Sequence, residues 1–508
     1  MNASKYTLKA IKTASSQQDA GTRDRFSQGK PLWARALAQS SLEFGPTPLR
    51  IISGKVPMGL RGTFYQNGAG LLERGGQRLN HWFDGDGGIL AVHFTDQGAI
   101  GLYRYVKTSA FEAEQRAGKF LYPGFGQKAL LGGGILRKNP ANTAVLAFQN
   151  KLLALWEIGS PYVLDPDTLE TLGVEQFNSL TKTKPFSVAS WLSLNFQPFS
   201  AHPKQDPTTG EIYNFGVSYG VVPKINLYKM SSNGQIRRQA KIPLGRFSML
   251  HDFCLAGNYL IFFVPPIEID ISRVLLGLKS PNDAILWHPH LGTEIIIVDC
   301  ETLQEVGRYQ TEAWYQLHII NGYVEKDGSA VIDFVRYPDL QPNQLFAQAI
   351  TGCLDTSLNG KPWRLRLNPK NGKVSENIQL LDLVCEFPNV SPFELGTTTR
   401  RMYLNACVPD KAKIGNDIFN SIVCLNADTG KITLAQPGSG CYPTEPIYVP
   451  DRFTDNEGWI LSVVFDGNQD KSTVHIYDAK QLEQEPVCVL ELPHIVPFGF
   501  HGTWRTIS

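Results

Sequence analysis

The 508-residue sequence predicts an all-β chain closed into a propeller, with a large sandwich or two stacked β domains as the runner-up. Short alternating strands recur from about residue 46 to the end, and the turns joining them share one chemistry. No sustained helical period separates them. A radial repeat of antiparallel sheets fits, because it buries most strand edges without crossover helices.

Residues 1–45 read as a polar, partly helical extension, with PLWARALAQSSLEFG its best helical piece. Residues 46–508 then read as one propeller domain. AVHFTDQGAIGLYRYVKT is a hairpin of two alternating runs turning at TDQGA. NTAVLAFQNKLLALWEIGSPYVLDPDTLET adds strands that turn at QNK and precede DPDT. IYNFGVSY, KINLYKMSSNGQIRRQAKI, TEIIIVDCETLQEVGRYQ and GSAVIDFVRY continue the pattern, as do WRLRLNPKNGKVSENIQL, SIVCLNADTGKITLAQ and WILSVVFDGNQDKSTVHIYDA. In turns such as DPDTLE, NPKNGK and NADTGK, Asp, Asn, Pro and Gly supply the geometry.

Two inserts, at about 107–142 and 265–293, interrupt the blades. Leu130, Leu131, Ile135 and Leu136 make the first apolar; Val274, Leu275, Leu276 and Leu278 do so in the second. They read either as a cap on the propeller or as an apolar lip that meets a membrane surface to collect a lipid-soluble substrate.

The chain is 42% hydrophobic and 19% charged, with a net charge of +1 and no basic block, which argues against nucleic acid as its main partner. No apolar run reaches the length of a membrane-spanning helix, and the N-terminal stretch lacks a signal-peptide core. The eight cysteines form no C-x-x-C pair and lie mostly in apolar runs. That usage fits a reducing compartment, so the expected location is cytoplasmic, with at most peripheral membrane contact.

Of ten histidines, His93 and His475 read as structural strand residues, and His288 and His290 as surface or cap residues. His202, His251 and His318 differ. Each is flanked by apolar residues shortly before a turn and a following strand, at intervals of roughly 50–70 residues, one blade or a little more. The innermost strand of a blade faces the axis, so one His per blade converges several imidazoles on one point. The chain ends PFGFHGTWRTIS, unusually apolar for a terminus. A last inner strand carrying His501 as a fourth ligand accounts for that. Four neutral imidazoles suit Fe(II), Zn(II), Cu(II) or Ni(II). Ligating imidazoles usually donate their other N–H to carboxylates. Glu157, Glu386 and Glu445, all in apolar or Pro-rich company, are the candidates. The alternative is a metal-free propeller that serves as an interaction module, its histidines merely packed.

The stretches GTFYQNGAGLLERGGQRLNHWFDGDGGILAVHF, LLALWEIGSPYVLDPDTLETLG, SAHPKQDPTTGEIYNFGVSYG, LHDFCLAGNYLIFF, LHIINGYVEKDGSAVIDFVRY, CEFPNVSP, EPIYVP and FHGTW follow in order from about residue 55 to the end. They resemble the carotenoid cleavage oxygenases, a family that includes apocarotenoid- and stilbene-cleaving dioxygenases and the retinoid isomerase of the eye. The resemblance implies a seven-bladed β-propeller with a mixed helix/loop cap over an axial metal site. It implies one Fe(2+) per chain, held by His202, His251, His318 and His501 and backed by Glu157, Glu386 and Glu445. Thr143 in ANTAVL matches a family threonine that crowds an open iron position. His81 in HWFDGDGG is not carried over as a ligand. O2 is the implied co-substrate and a lipophilic polyene the implied partner. The implied reaction is scission of a conjugated C=C bond of a carotenoid or apocarotenoid, the central 15,15′ bond with retinal-type aldehydes being one candidate. A stilbene is the alternative substrate. EIG, where many members have two glycines after the Glu, NGAG and GTTTRRMYLN depart from the family pattern, and none touches a presumed ligand.

Overall fold

The computed structural model describes residues 29–128, 138–177, 198–219, 222–409, 417–455 and 457–506. Leu130, Leu131, Ile135 and Leu136 of the first insert lie outside them. Seven antiparallel sheets form the blades of a propeller. In chain order their innermost strands are Gly502–Thr506, Ala144–Phe148, Lys204–Gln205, Cys254–Ala256, Tyr315–Val324, Val384–Asn389, and in the seventh blade Cys441–Pro443 with Ile447–Pro450.

The strand Thr293–Asp299, TEIIIVD, shows why blade strands read as continuous apolar runs. Ile296 and Val298 pack on Phe215, Ile225 and Leu227 of the preceding blade. Ile295 and Ile297 pack on Ala330, Ile332 and Phe334 of the next. Both faces of the sheet are therefore buried, and alternation is lost. The recurring turns are fastened by their own side chains. Asp165 accepts from the backbone N–H groups of Asp167 at 3.0 Å and Thr168 at 2.8 Å, and Asn426 does the same for Asp428 and Thr429.

An early and a late segment of the chain close the ring. Arg50–Gly54 pairs with Cys488–Glu491 as the outermost strand of the seventh blade. Gly502–Thr506 pairs with Gly62–Leu71 as the innermost strand of the first. Gly62 is required there: it sits at φ 151°, and a Cβ on it would come within 2.4 Å of the Arg505 carbonyl and the Trp504 ring.

At the start of the chain the expected helical piece is a short 3-10 helix, Leu32–Leu37, whose Trp33 is fully buried. The first insert contributes the helix Ser109–Ala117, with Thr108 capping its N-terminus and Gly118 ending it in the left-handed region. Four charges hold this helix to the first blade. Lys138 Nζ lies 2.7 Å from Asp86 and 2.8 Å from Glu114, and Arg74 lies 3.4 Å from Asp86. The second insert forms a small hairpin, Ile267–Ile269 with Ile285–Trp287, carrying the helix Ile271–Leu275. Its Val274 is buried, whereas Leu275, Leu276 and Leu278 are exposed.

Candidate metal centre

The four histidines come together on the axis beneath the inserts. His202, His251 and His501 do not lie on inner strands, as the blade argument expected, but one to three residues before them; only His318 is inside its strand. The ladder slips register between Gln316 and Ile319, around His318. Such a bulge re-aims a side chain that regular pleating would direct elsewhere. A second slip, between Glu386 and Asn389, brackets Phe387, which sits at φ 51°. A bulky residue held in that region is costly and marks a place where the surroundings over-determine the backbone. Here it lets Glu386 and the Phe387 ring both face the axis: the ring lies 5.5 Å from that of His318 and 5.6 Å from that of His501.

All four rings point Nε2 inward. The Nε2 atoms of His202 and His251 are 3.0 Å apart, those of His251 and His318 3.1 Å, and those of His318 and His501 3.1 Å. All four candidate donor atoms lie within 4.8 Å of one another. On the outward side, His251 Nδ1 meets Glu157 Oε1 at 2.9 Å and His501 Nδ1 meets Glu445 Oε1 at 2.9 Å. His318 Nδ1 meets Glu386 Oε2. Glu386 and Glu445 each take an Nδ1–H and so leave a lone pair on Nε2, while Glu157 stands at ion-pair distance from His251 Nδ1. Glu445 also accepts from the Gly502 N–H at 2.7 Å, and Glu386 accepts from the Tyr337 hydroxyl at 3.0 Å. Among the described residues no carboxylate stands behind His202.

Converging lone pairs at 3 Å repel unless a cation lies between them. Donors at right angles around a first-row ion, at a metal–nitrogen distance of about 2.1 Å, stand about 3.0 Å apart, whereas tetrahedral donors stand about 3.4 Å apart. The observed spacing is short enough for the four rings to share one ion.

Burial, reinforced by the neighbouring rings, drives the pKa of His202 and His318 far below the ordinary histidine range, so both are neutral donors. For His251 burial works against protonation, but Glu157 outweighs it and the net shift is upward; that Nε2 seeks a positive charge, proton or metal alike. Burial pushes the Glu386 carboxyl up to about 7.

Above the rings lies a cavity of about 640 Å³. His251, His318, His501, Glu157 and Thr143 belong to its wall, with Trp156, Tyr315, Phe387 and Phe500 around them. Both inserts close it, the first through Phe120, Tyr122 and Phe125 and the second through Ile271, Val274 and Leu275. The cavity is thus built from the inserts themselves as well as from the blades they interrupt. Thr143 stands beside His501, whose N–H donates to the Thr143 carbonyl at 3.2 Å. His81 is apart from the quartet: it is 1% exposed, and its Nδ1 accepts from the Phe83 N–H at 3.1 Å, capping the helix Trp82–Asp84. His93 and His475 bond to Thr63 and Tyr477 within the blades.

Sequence reasoning passed over three residues. Phe387 follows Glu386, Lys204 stands two places after His202, and Asp252 follows His251; Lys204 Nζ and Asp252 Oδ1 are 2.8 Å apart. Their adjacency to the candidate ligands in the sequence was the available signal.

A family profile described as retinal pigment epithelial membrane protein matches residues 37–506. The apocarotenoid-15,15′-oxygenase of Synechocystis sp. is 29% identical over 470 residues, covering 89% of this chain and 92% of that one. The resveratrol cleavage oxygenase 1 of Aspergillus fumigatus is 27% identical over 478 residues, covering 89% and 91%. A solved structure of the cobalt-substituted Synechocystis apocarotenoid oxygenase matches with a TM-score of 0.81 at 27% identity, over 94% of this chain and 98% of that one.

Proposed function

This chain belongs to the retinal pigment epithelial membrane protein family, the carotenoid oxygenases, and from that premise we propose that it is a non-haem Fe(II) dioxygenase cleaving a conjugated C=C bond of a carotenoid or apocarotenoid. The observation that carries the reading is the convergence of four histidines, three of them in the wall of a cavity lined by aromatic side chains. The same convergence weighs against a metal-free interaction module, in which four inward-facing imidazoles packed this closely serve no purpose.

His202, His251, His318 and His501 would hold the ion, and Glu157, Glu386 and Glu445 would orient three of the rings. Bound ferrous iron supplies the site where dioxygen is activated next to the alkene. The cavity wall lays an extended apolar substrate across the His-bearing face and excludes water from it. Trp156 and Phe387 line the cavity, where aromatic rings would stabilise positive charge developing along a polyene. Thr143, beside His501, narrows the approach to the open side of the quartet.

The exposed Leu275, Leu276 and Leu278 adjoin a helix whose Val274 and Leu275 line the cavity. This supports entry of a lipophilic substrate from a membrane surface to which a cytoplasmic protein attaches peripherally. No helix among the described residues is long and apolar enough to cross a membrane.

The relative at 27% identity that is named for resveratrol cleavage favours a second reading, in which the cleaved alkene is that of a stilbene. Aerobic incubation of the iron-loaded protein with carotenoids, apocarotenals and stilbenes, using labelled dioxygen and mass analysis of the aldehydes, tests both. Label entering paired aldehydes from a polyene is the expected result. Turnover of stilbenes alone selects the second reading, and no product from any alkene overturns both.

A further inference from the structure

His202 is the ring with no carboxylate behind it among the described residues, and the question is what holds it in place. Asp252 is 4% exposed and uses both oxygens. Oδ1 lies 2.8 Å from Lys204 Nζ and accepts from the Phe253 N–H at 2.8 Å; Oδ2 accepts from the Ile319 N–H at 2.9 Å. Lys204 is itself largely covered, and its ammonium lies 6.0 Å from the centre of the Phe253 ring. A buried carboxylate is costly unless charged and polar partners satisfy it. Every partner here belongs to a segment that carries a candidate ligand: Lys204 is two residues after His202, Asp252 one after His251, and Ile319 one after His318. Three consecutive blades are thus tied by one carboxylate at the level of the rings.

Resting on the metal reading above, we propose that Asp252 and Lys204 are positioning residues of the metal centre, setting the spacing of the His202, His251 and His318 backbones as the glutamates set the rings of His251, His318 and His501. The division of labour has a physical basis. A hydrogen bond to Nδ1 fixes rotation about the side chain but leaves the backbone free to drift, and metal–nitrogen distances tolerate only about 0.2 Å. The Lys204–Asp252 contact supplies the translational constraint, and it gives His202 its charged tether.

The test uses the full chain with Fe(II), with Co(II) as a spectroscopic probe, and the variants Asp252→Asn, Lys204→Met and Lys204→Arg. Fe(II) affinity is measured by chelator competition, Co(II) geometry by visible absorption, and metal-free stability by thermal melting. Asp252→Asn and Lys204→Met are each expected to weaken Fe(II) binding about 10–100-fold and to shift the Co(II) bands, with Lys204→Arg recovering part of both. The double variant is expected to be little worse than either single one, because the pair acts as a unit. Variants that bind Fe(II) within about twofold of the unmodified chain, with unchanged Co(II) bands and only lower metal-free melting, reduce the pair to a blade clasp and overturn the proposal. Should Asp252→Asn not fold, Lys204→Met, which leaves both backbone N–H bonds to Asp252 in place, decides alone. An unmodified chain that takes up neither ion removes the metal reading, a result distinct from failure of the variants.

Discussion

The backbone N–H of His501 donates to the carbonyl of Thr143 across 3.2 Å, joining the end of the chain to the leading edge of the second blade. The neighbouring residues repeat the fastening: Phe500 N–H donates to Asn67 at 2.8 Å, and Asn67 N–H donates to His501 at 3.0 Å. Ring closure and completion of the quartet are therefore one structural event. Residues 502–506 form an inner strand paired along its length with residues 62–66.

His501→Ala removes a donor while leaving that backbone ladder intact. The folded protein is expected to persist by circular dichroism, with a metal affinity that falls by more than the roughly 10–100-fold typical of losing an outer partner. Elemental analysis of the purified variant checks this. Retention of one metal per chain would show that the quartet is not the binding site.

Glu386→Gln keeps the size of the group that meets His318 but not its charge. The carboxylate is 2% exposed and held by His318, Tyr337 and the Phe387 N–H, so its replacement disturbs a satisfied network. Metal affinity is expected to fall about 10–100-fold, read by chelator competition. Tyr337→Phe, which removes one neutral donor, is expected to cost stability of only about 1 kcal/mol.

Acid should weaken the fold through His81. Burial pushes its pKa down to about 4, against 6.5 in the unfolded chain. Above 6.5 both states are neutral. Between 6.5 and 4 the unfolded chain takes up a proton that the native state refuses, so stability drops as pH falls through that window. From pH 7 to pH 5 the loss through this group is about 2 kcal/mol. His81→Asn keeps an acceptor for the Phe83 N–H but does not titrate, and its urea-derived stability should fall correspondingly less over the same range. Parallel pH profiles would reject the assignment.

The first insert is pinned by charge. Glu114 is fully buried, lies 2.8 Å from Lys138 Nζ and accepts from the Leu121 and Tyr122 N–H groups. Glu114→Leu leaves Lys138 and Arg74 sharing one carboxylate, Asp86, with Gln115 still accepting from Arg74. Breaking one member of a buried ion network typically costs about 3–5 kcal/mol. Urea denaturation is the measurement, and because Phe120 and Tyr122 line the cavity, polyene binding should weaken in parallel.

The sequence by itself determined whatever depends on near neighbours in the chain. Strands and their Asx-fastened turns are legible because the side chain of Asp165 reaches only two or three residues ahead. The identity of the four histidines is legible because each sits in a short recognisable string. Tertiary structure alone decided which partner meets which histidine: Glu157 with His251, Glu386 with His318, Glu445 with His501, no carboxylate among the described residues with His202, and Asp252 across three blades. Those pairings join residues far apart in the chain, and ring closure, not local propensity, sets which of them meet. The left-handed Phe387 and the placement of His202, His251 and His501 just ahead of their strands belong to the same class. A pleated strand presents only every second residue to the axis, and four donors can meet at 3 Å only where the backbone has left that pleat.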